Sequence, residues 1–519
     1  MENELSTGFH GVKDVSPEQV RGECVIDVTL PDYQPEIRRI YSASANVRPS
    51  GKYVSGGKAE FAVTVVHTVL CGNADGGVSV LSLPGDYLLS FPCPDGCDPV
   101  LFPVVADVPV CRLTGPRRIQ IKTPLSASAR CYRARESSPA LPTLSADPDA
   151  VLLIHPVKGH VAEVLSLRDV RIGDVIRTEG AEKVLAAEAT ACVREATVTP
   201  AGVDLRGEAE VVLKLDRGDG VPRTLRRRIP FSEVIPYEGE PLTGGSAAGW
   251  ATVSALDVTE KDGDAGDGIA LDLTLDLFAE ATAPDEAAAL VDMFSIKEPT
   301  AVRTEKIGVT DVCFCGGGVF ALEGDAERSE CNCEDAMTVL GESAAVSVFG
   351  ASVGDDGATV TGECRVTATV GSPSGEPDGG TVYSAVNFRF PFSVTLPVPA
   401  ACRGEGRADV SAIPLSVSVR LDPSRLLASV ETAITVRIAK ENEVTVVESV
   451  ERGEGELPAR APGEIVAVYP EGGETLWDIA KRYGVSPDTI ARQNDLPDGA
   501  KDASDAPNSL DGVVRLLIS

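Results

Sequence analysis

Apolar and polar residues alternate along most of this chain. The alternation is clear in residues 208–215 and 270–277, and in residues 415–421, where positions 415, 417, 419 and 421 are apolar. A period of two places one face of a strand on a core and the other in water. Clusters of Gly, Asp and Pro separate these segments, as hairpin loops do. The pattern predicts a mainly β chain up to about residue 463, with one short helix or turn at residues 285–294.

Two segments of the chain share an order of sequence landmarks. Residues 207–208 and 362–363 are both Gly-Glu, and each pair is followed by a strand, a hairpin loop and Pro-Phe-Ser, at residues 230–232 and 391–393. A weaker copy begins near residue 57. The spacing predicts three β-sandwich-like repeat modules of ~130 residues, a length that suits one sandwich each. We expect their bounds at residues 1–150, 151–300 and 301–450, followed by a linker at 451–463.

The end of the chain, residues 464–519, has a different pattern. Thr475 is placed to cap a helix, and the helix ends at Gly484. Ser486 and Pro487 begin a second helix. Residues 464–468 and 513–518 read as strands on either side. The tail is therefore predicted to be a small α+β unit with the order βααβ.

This tail resembles the LysM domain. The matching residues are Gly473, Thr475, Leu476, Trp477, Ile479, Ala480, Tyr483, Gly484, Val485, Asn494 and Leu496. Members of the family bind N-acetylglucosamine polymers through the loop before the first helix and the loop after the second. The resemblance implies ligand- or partner-binding positions at Gly472, Gly473, Glu474, Thr475, Asn494, Asp495, Leu496 and Pro497. It implies a structural core of Leu476, Trp477, Ile479, Ala480, Tyr483 and Ile490. A ligand-facing position is the alternative for Trp477.

The tail departs from the family pattern in ways that leave its ligand open. Glu474 replaces the usual Asp, and residues 498–511 form a longer acidic segment where most members have a tight turn. The last strand ends Leu517-Ile518-Ser519. One wall of the sugar groove is altered, so a protein ligand is the alternative to a sugar.

The body resembles the SPOCS domain, which is associated with spore coat proteins of endospore-forming Firmicutes. Residues 25–37 (VIDVTLPDYQPEI) and the Pro-Phe-Ser endings carry this likeness. SPOCS-type repeats followed by one LysM domain are similar to a clostridial family of spore coat morphogenetic proteins. The resemblance implies a scaffold or adaptor in the mother-cell cytoplasm at the forespore surface. Its implied partner, bound through the LysM domain, is a coat ATPase like stage IV sporulation protein A. The alternative is a protein that binds peptidoglycan or another N-acetylglucosamine polymer.

Charge and composition narrow the partners. The 519 residues carry a formal net charge of −31, which repels phosphate backbones and anionic membranes. The first residues lack the basic and apolar regions of a signal peptide, and the apolar runs are too short to span a bilayer. The 13 cysteines are odd in number and scattered, which favours reduced thiols. These features predict a cytoplasmic protein with no nucleic-acid partner and no membrane insertion.

Motifs for catalysis are missing from the sequence. It contains neither a Gly-x-Ser-x-Gly nucleophile motif nor a phosphate-binding loop, so we expect no enzyme, no catalytic residue and no cofactor. Residues 262–272 resemble a calcium loop, but Asp267 stands where Gly is required. Two Cys-x-Cys pairs, Cys313/Cys315 and Cys331/Cys333, leave a four-thiolate zinc site as an alternative to free thiols.

Overall fold

The computed structural model describes residues 11–14, 18–74, 77–135, 147–177, 183–216, 222–261, 268–374, 381–404, 406–453, 455, 457, 464–471, 473–496, 510 and 513–518. Of these described residues, 76% lie in strands and 4% in helices, which confirms the prediction of a mainly β protein. Within these ranges, we find no helix whose length and apolar character would suit a membrane span.

The first unit of the body consists of nine strands. They are β1 (Gly11–Asp14), β2 (Glu18–Thr29), β3 (Ile37–Ser55), β4 (Lys58–Asn73), β5 (Val78–Pro92), β6 (Asp98–Leu101), β7 (Val105–Ala106), β8 (Val110–Gly115) and β9 (Arg118–Arg135). In one sheet the long strand β9 pairs with β1 and β2 and also with the short strands β6, β7 and β8. The other sheet has the order β3-β4-β5. All pairs are antiparallel.

The second and third units have six strands each. The second unit contains β10 (Ala150–Arg177), β11 (Lys183–Thr199), β12 (Gly202–Asp216), β13 (Arg223–Ile235), β14 (Ser246–Lys261) and β15 (Gly268–Ser295). The third contains β16 (Thr300–Glu327), β17 (Thr338–Gly354), β18 (Gly357–Pro373), β19 (Thr381–Leu396), a 3-10 turn (Ala400–Cys402), β20 (Arg407–Leu421) and β21 (Arg425–Arg452). Their sheets are β10-β15-β14 with β11-β12-β13, and β16-β21-β20 with β17-β18-β19. The two strand orders are therefore the same, while the three repeat modules and their bounds stay a prediction.

Each of these two units buries apolar side chains between its sheets. In the second unit, Leu205 and Leu213 of β12 and Leu273 and Leu275 of β15 belong to one buried cluster. In β12 and β15 the buried leucines recur at even spacing, as expected when alternate side chains face the core. The apolar positions of the alternating pattern are therefore the ones that face the core between the two sheets.

The Gly-Glu and Pro-Phe-Ser landmarks lie opposite each other in neighbouring strands. Gly207 faces Phe231 across β12 and β13, and Gly362 faces Phe392 across β18 and β19. A Cβ atom on Gly207 would lie 2.5 Å from the Phe231 ring, and one on Gly362 would lie 2.6 Å from the Phe392 ring. The aromatic ring fills the space that a side chain would need, so each glycine is required by its partner.

The helix or turn expected at residues 285–294 is wrong. These residues continue β15 to Ser295 and pair with the first half of β10. A register shift between Leu153 and Ile154 leaves one extra residue on β15, and both Leu290 and Met293 are buried. The bulge produces a helix-like spacing of apolar residues within a strand.

A buried ion cluster joins the three units. Arg130 of β9 donates to Glu280 of β15 at 2.8 Å, and Arg437 of β21 donates to the same carboxylate at 2.7 Å. Asp409 lies 3.6 Å from Arg130 and 3.5 Å from Arg437. The glutamate is only 1% exposed. Burial alone would raise its pKa, but the two guanidinium groups hold the pKa of Glu280 below its ordinary value.

Three of the four charged residues of this cluster, Arg130, Glu280 and Arg437, occupy corresponding places in their units. Arg130 faces Val100, Glu280 faces Ala248 and Arg437 faces Asp409, in each case between the long last strand and a strand preceding it. Trp250 adds a further contact among the units, since its ring packs on Phe102 at 4.8 Å and its Nε1 donates to Thr435 at 3.2 Å. The body is therefore one closed assembly in which each unit contacts the other two.

The tail contains β22 (Val466–Val468), α1 (Leu476–Tyr483), α2 (Pro487–Gln493) and β23 (Leu516–Ile518). The two strands pair antiparallel, which gives the expected order βααβ. Leu457, inside the predicted linker, donates its backbone N–H to Lys297 O at 2.6 Å. The described part of the linker therefore lies against the body.

Candidate functional site: the tail and its contact with the body

Helix α1 is defined by its end residues. Thr475 accepts a hydrogen bond from Asp478 N, and the Asp478 carboxylate accepts one from Thr475 N at 2.9 Å. This reciprocal capping box satisfies two backbone donors at the start of the helix. Gly484 ends the helix with φ of 62°, a left-handed conformation that glycine adopts without strain. Thr475, a predicted binding residue, is therefore part of the helix cap.

The predicted core of the tail is mostly buried. Leu476, Ile479, Ala480 and Ile490 are inaccessible or nearly so, and Tyr483 is partly buried against them. They pack with Val468, Leu516 and Ile518 of the two strands. The helices are thus held on the sheet by one small apolar cluster.

Trp477 extends that cluster into the body. It is 8% exposed, and its ring packs edge-on against Phe294 of β15 at 5.1 Å. Its Nε1 donates to the Asp292 carboxylate at 2.8 Å. Val151 and Leu153 of β10 line the same contact. The Trp477 side chain therefore lies at an interface between the tail and the body.

Asp292 holds two groups of helix α1. Besides the Trp477 indole, it binds Lys481, whose Nζ lies 2.6 and 2.7 Å from the two carboxylate oxygens. One carboxylate at the end of β15 therefore orients the side of the helix that faces the body. Sequence analysis missed this residue, because Asp292 is 185 residues from Trp477 and lies in a segment expected to be a helix or turn.

The loop before α1 is stabilised by contacts within the tail. Gly473 has φ of 90°, which favours glycine at this position. Glu474 forms an ion pair with Arg482 of α1 and accepts a hydrogen bond from Glu471 N at 3.1 Å. The Glu474 side chain is only 8% exposed, so its carboxylate braces the loop instead of facing solvent.

The loop after α2 is connected to strand β23 by the Asn494 side chain. The Asn494 side chain accepts from Leu517 N at 2.6 Å and donates to Leu517 O at 2.7 Å, as a neighbouring strand would. It also donates to Ile490 O at 2.8 Å. Asp495 follows with φ of 50° and is exposed, and Leu496 is partly buried. Among the six predicted loop residues that the structure describes, Gly473 and Asp495 are the exposed ones.

Two of the predicted binding positions, Gly472 and Pro497, lie outside the described residues, as does residue 267 of the calcium-like segment. The loops that flank α1 and α2 are otherwise placed by backbone hydrogen bonds, such as Leu496 N to Ala491 O at 3.0 Å. The arrangement suits recognition of a ligand by backbone groups and a few exposed side chains.

The four cysteines of the zinc alternative do not come together. A register shift between Val312 and Phe314 lies at Cys313, which packs near Cys402, while Cys315 packs near Trp250. The pair at Cys331 and Cys333 belongs to another cluster. Burial raises the pKa of the Cys313 thiol to about 12 and also raises the pKa of the Cys315 thiol. Among the described residues, no group of three or more His, Cys, Asp or Glu residues is arranged to hold a metal ion.

Comparison with known proteins identifies the tail. Residues 472–500 match the family model of the LysM domain, and they include both helices and the two loops at their ends. No curated protein and no solved structure matches the chain. The fold and this match define a mainly β protein that carries a C-terminal LysM domain.

Proposed function

We propose that this chain is a non-enzymatic binding protein that attaches to N-acetylglucosamine polymers, such as peptidoglycan glycan strands, through its LysM domain. The observation that carries the proposal is the match of residues 472–500 to the LysM family, together with two helices at those positions. The three-unit body acts as the scaffold to which the domain is fixed.

Electrostatics are compatible with a sugar ligand. The net charge of −31 disfavours anionic partners, but a chain of N-acetylglucosamine is neutral and is not repelled. The exposed Asp495 carboxylate and the backbone near Gly473 are placed to accept and donate hydrogen bonds to hydroxyl and acetamido groups. Binding would therefore depend on short-range hydrogen bonds from the loops, including charged acceptors such as Asp495, and not on long-range attraction between net charges.

A scaffold or adaptor in spore coat assembly is the second candidate. Its basis is the likeness of the body to SPOCS repeats, and it predicts a coat ATPase like stage IV sporulation protein A as the partner. Glu474 and Asn494 favour it in one respect, because both side chains are engaged inside the tail and leave fewer polar groups for a sugar. In this case the protein would work in the mother-cell cytoplasm at the forespore surface.

Titration calorimetry of the full chain with chitin oligomers tests the first proposal. We expect saturable binding that Asp495→Asn weakens, since asparagine tolerates the left-handed backbone and removes the charge. The matched control is Asp488→Asn, an exposed aspartate at the start of α2. Absence of oligomer binding, with tight binding of the coat ATPase instead, would favour the second candidate.

A further inference from the structure

A large cavity lies between the first and second units. Its volume is about 620 Å³, and its walls come from β3, β4 and residues 98–104 of the first unit and from β10 and β15 of the second. Three aromatic rings, those of Phe61, Phe102 and Phe278, face it. Small-molecule sites typically have volumes of roughly 300–1,000 Å³ and are mostly apolar with a few polar groups. The cavity has the size and lining of a ligand site.

The interface between the second and third units is occupied by charged side chains, unlike the cavity between the first and second units. Where the second unit meets the third, Arg228 of β13 forms an ion pair with Glu431 of β21, and Arg194 of β11 lies 3.7 Å from the same residue. Long charged side chains thus occupy the contact. The first unit offers shorter side chains on β4, Ala62 and Val63, and leaves space open.

A β-bulge lies beside the cavity. The register of β10 shifts between Leu167 and Val170, and Asp169 in the bulge has φ of 60°. Residues other than glycine adopt this conformation mainly where their surroundings hold them in it, and bulges are common beside binding sites. Asp169 N donates to the Asp276 carboxylate at 3.4 Å, and Arg168 of the bulge lines the cavity.

The polar groups on the second-unit side carry excess negative charge. On the first-unit side, Lys52 and Asp98 neutralise each other at 2.9 Å. On the second-unit side, the charged residues among the described lining residues are Asp276, Glu238 and Arg168. The Glu238 charge also reaches the neighbouring Glu163, whose pKa is raised by burial and then by that charge. A cation bound beside Glu238 would relieve the repulsion between Glu238 and Glu163.

We propose that this cavity binds an organic cation, a molecule that joins an aromatic or aliphatic group to one ammonium group. The apolar part lies among Phe61, Phe102 and Phe278, and the ammonium group lies towards Asp276 and Glu238. The site is independent of the LysM domain and of the function proposed for it.

The test uses the full chain and two probes of matched size, 4-phenylbutylammonium and 4-phenylbutyrate, in titration calorimetry. We expect saturable binding of the cation and binding of the anion that is at least about tenfold weaker. Asp276→Asn should weaken cation binding about tenfold, because a charged hydrogen-bond acceptor is lost. Asp272→Asn, on the same strand and exposed, is the matched control and should leave binding unchanged.

A second variant tests the place of binding. Ala162→Phe puts a ring into the cavity from β10 and should abolish cation binding, while the unfolding temperature shows whether the variant folds. If Ala162→Phe does not fold, the comparison of Asp276→Asn with Asp272→Asn decides alone. The proposal is overturned if the cation shows no saturable binding, if the anion binds as well, or if both aspartate variants weaken binding equally.

Discussion

The indole of Trp477 is shared between the tail and the body. Its ring packs on Phe294, and its nitrogen donates to Asp292, which also binds Lys481. A tryptophan has both a large apolar surface and one donor, so it suits a contact that is apolar in the middle and polar at one edge. Phe294 and Asp292, at the end of β15, therefore provide the contacts that position the LysM domain against the body.

Asp292→Ala should loosen the tail from the body without unfolding either. The change leaves the Trp477 donor without its acceptor and removes the ion pair to Lys481, at a cost of about 1–3 kcal/mol in docking. Trp477 emission should shift to longer wavelength, and small-angle scattering should show a larger particle. Asp285→Ala, an exposed aspartate of the same strand, is the control. Unchanged emission and size in Asp292→Ala would contradict the role of this carboxylate.

Ile479→Ala should unfold the tail. Ile479 is fully buried, and truncation of such a side chain costs about 2–5 kcal/mol. A domain this small has little stability to lose. Hydrogen exchange of α1 and α2 should become fast, and ligand binding should disappear as a consequence. Val514→Ala, 78% exposed in the same tail, should exchange like the wild type. Slow exchange in Ile479→Ala would show that the helices do not depend on this core.

At the scale of residues, the sequence predicted local contacts better than distant ones. The cap at Thr475 and the helix end at Gly484 depend on neighbours a few residues away, and both could be read from the sequence. The roles of Glu474 and Asn494 as internal braces depend on Arg482 and Leu517. A family pattern gives the position of such a residue in a loop but does not show which way its side chain turns.

At the scale of elements, strand periodicity was informative until a bulge interrupted it. The alternation in β12 and β15 predicted which residues are buried. Residues 285–294 were misread because the bulge near Leu290 gives apolar spacing like that of a helix, and only pairing with β10 identifies a strand. The zinc alternative depended on regular alternation too, and the shift at Cys313 separates that thiol from Cys315.

Gly207→Ala tests the pairing of glycine with an aromatic residue across β12 and β13. The new Cβ would lie 2.0 Å from Cys192 O and 2.5 Å from the Phe231 ring, so backbone and ring must both move. We expect a loss of about 1–3 kcal/mol in the free energy of unfolding, measured by urea denaturation. Gly308→Ala in β16, where the Cβ has nothing within 4 Å, should cost far less. Equal effects would mean that the aromatic contact does not matter.

At the scale of the whole molecule, the buried cluster of Arg130, Glu280 and Arg437 ties the units together. One carboxylate compensates two guanidinium groups, and Asp409 lies near both. Burying these charges is costly unless all are paired, so the arrangement tolerates little displacement of any unit. We therefore expect the body to unfold as one cooperative assembly.

Glu280→Gln should destabilise the whole body by about 3–5 kcal/mol, because two buried guanidinium groups lose their common partner. The pKa of Glu280 is lowered in the folded state, so its contribution is complete above the unfolded value of about 4.3 and is lost as pH falls through the folded value. The stability difference from wild type should shrink below about pH 4. Thermal unfolding over a pH series measures it, and Glu286→Gln, exposed on the same strand, is the control.

If the second unit of the Glu280→Gln variant unfolds in a separate early step while the first and third units stay folded, the cluster does not couple the units. The sequence could not predict this cluster, because its members are ordinary charged residues in alternating strands. Glu280 is 150 residues from Arg130 and 157 residues from Arg437 along the chain. Charge patterns within one strand carry no information on such distant pairs.

That separation has a consequence for synthesis on the ribosome. Arg130 emerges about 300 residues before Arg437, the last member of the cluster, since the steps to and from Glu280 span 150 and 157 residues. At translation rates of about 5–20 residues per second, the interval is roughly 15–60 s. Until Trp250 and Glu280 of the second unit have been made and folded, the nascent first unit presents a guanidinium group and the Phe102 ring that the finished protein encloses. The Glu280 carboxylate then still lacks Arg437, so the cluster is complete only after β21 has been made, and a chain released earlier would lack this ion pair.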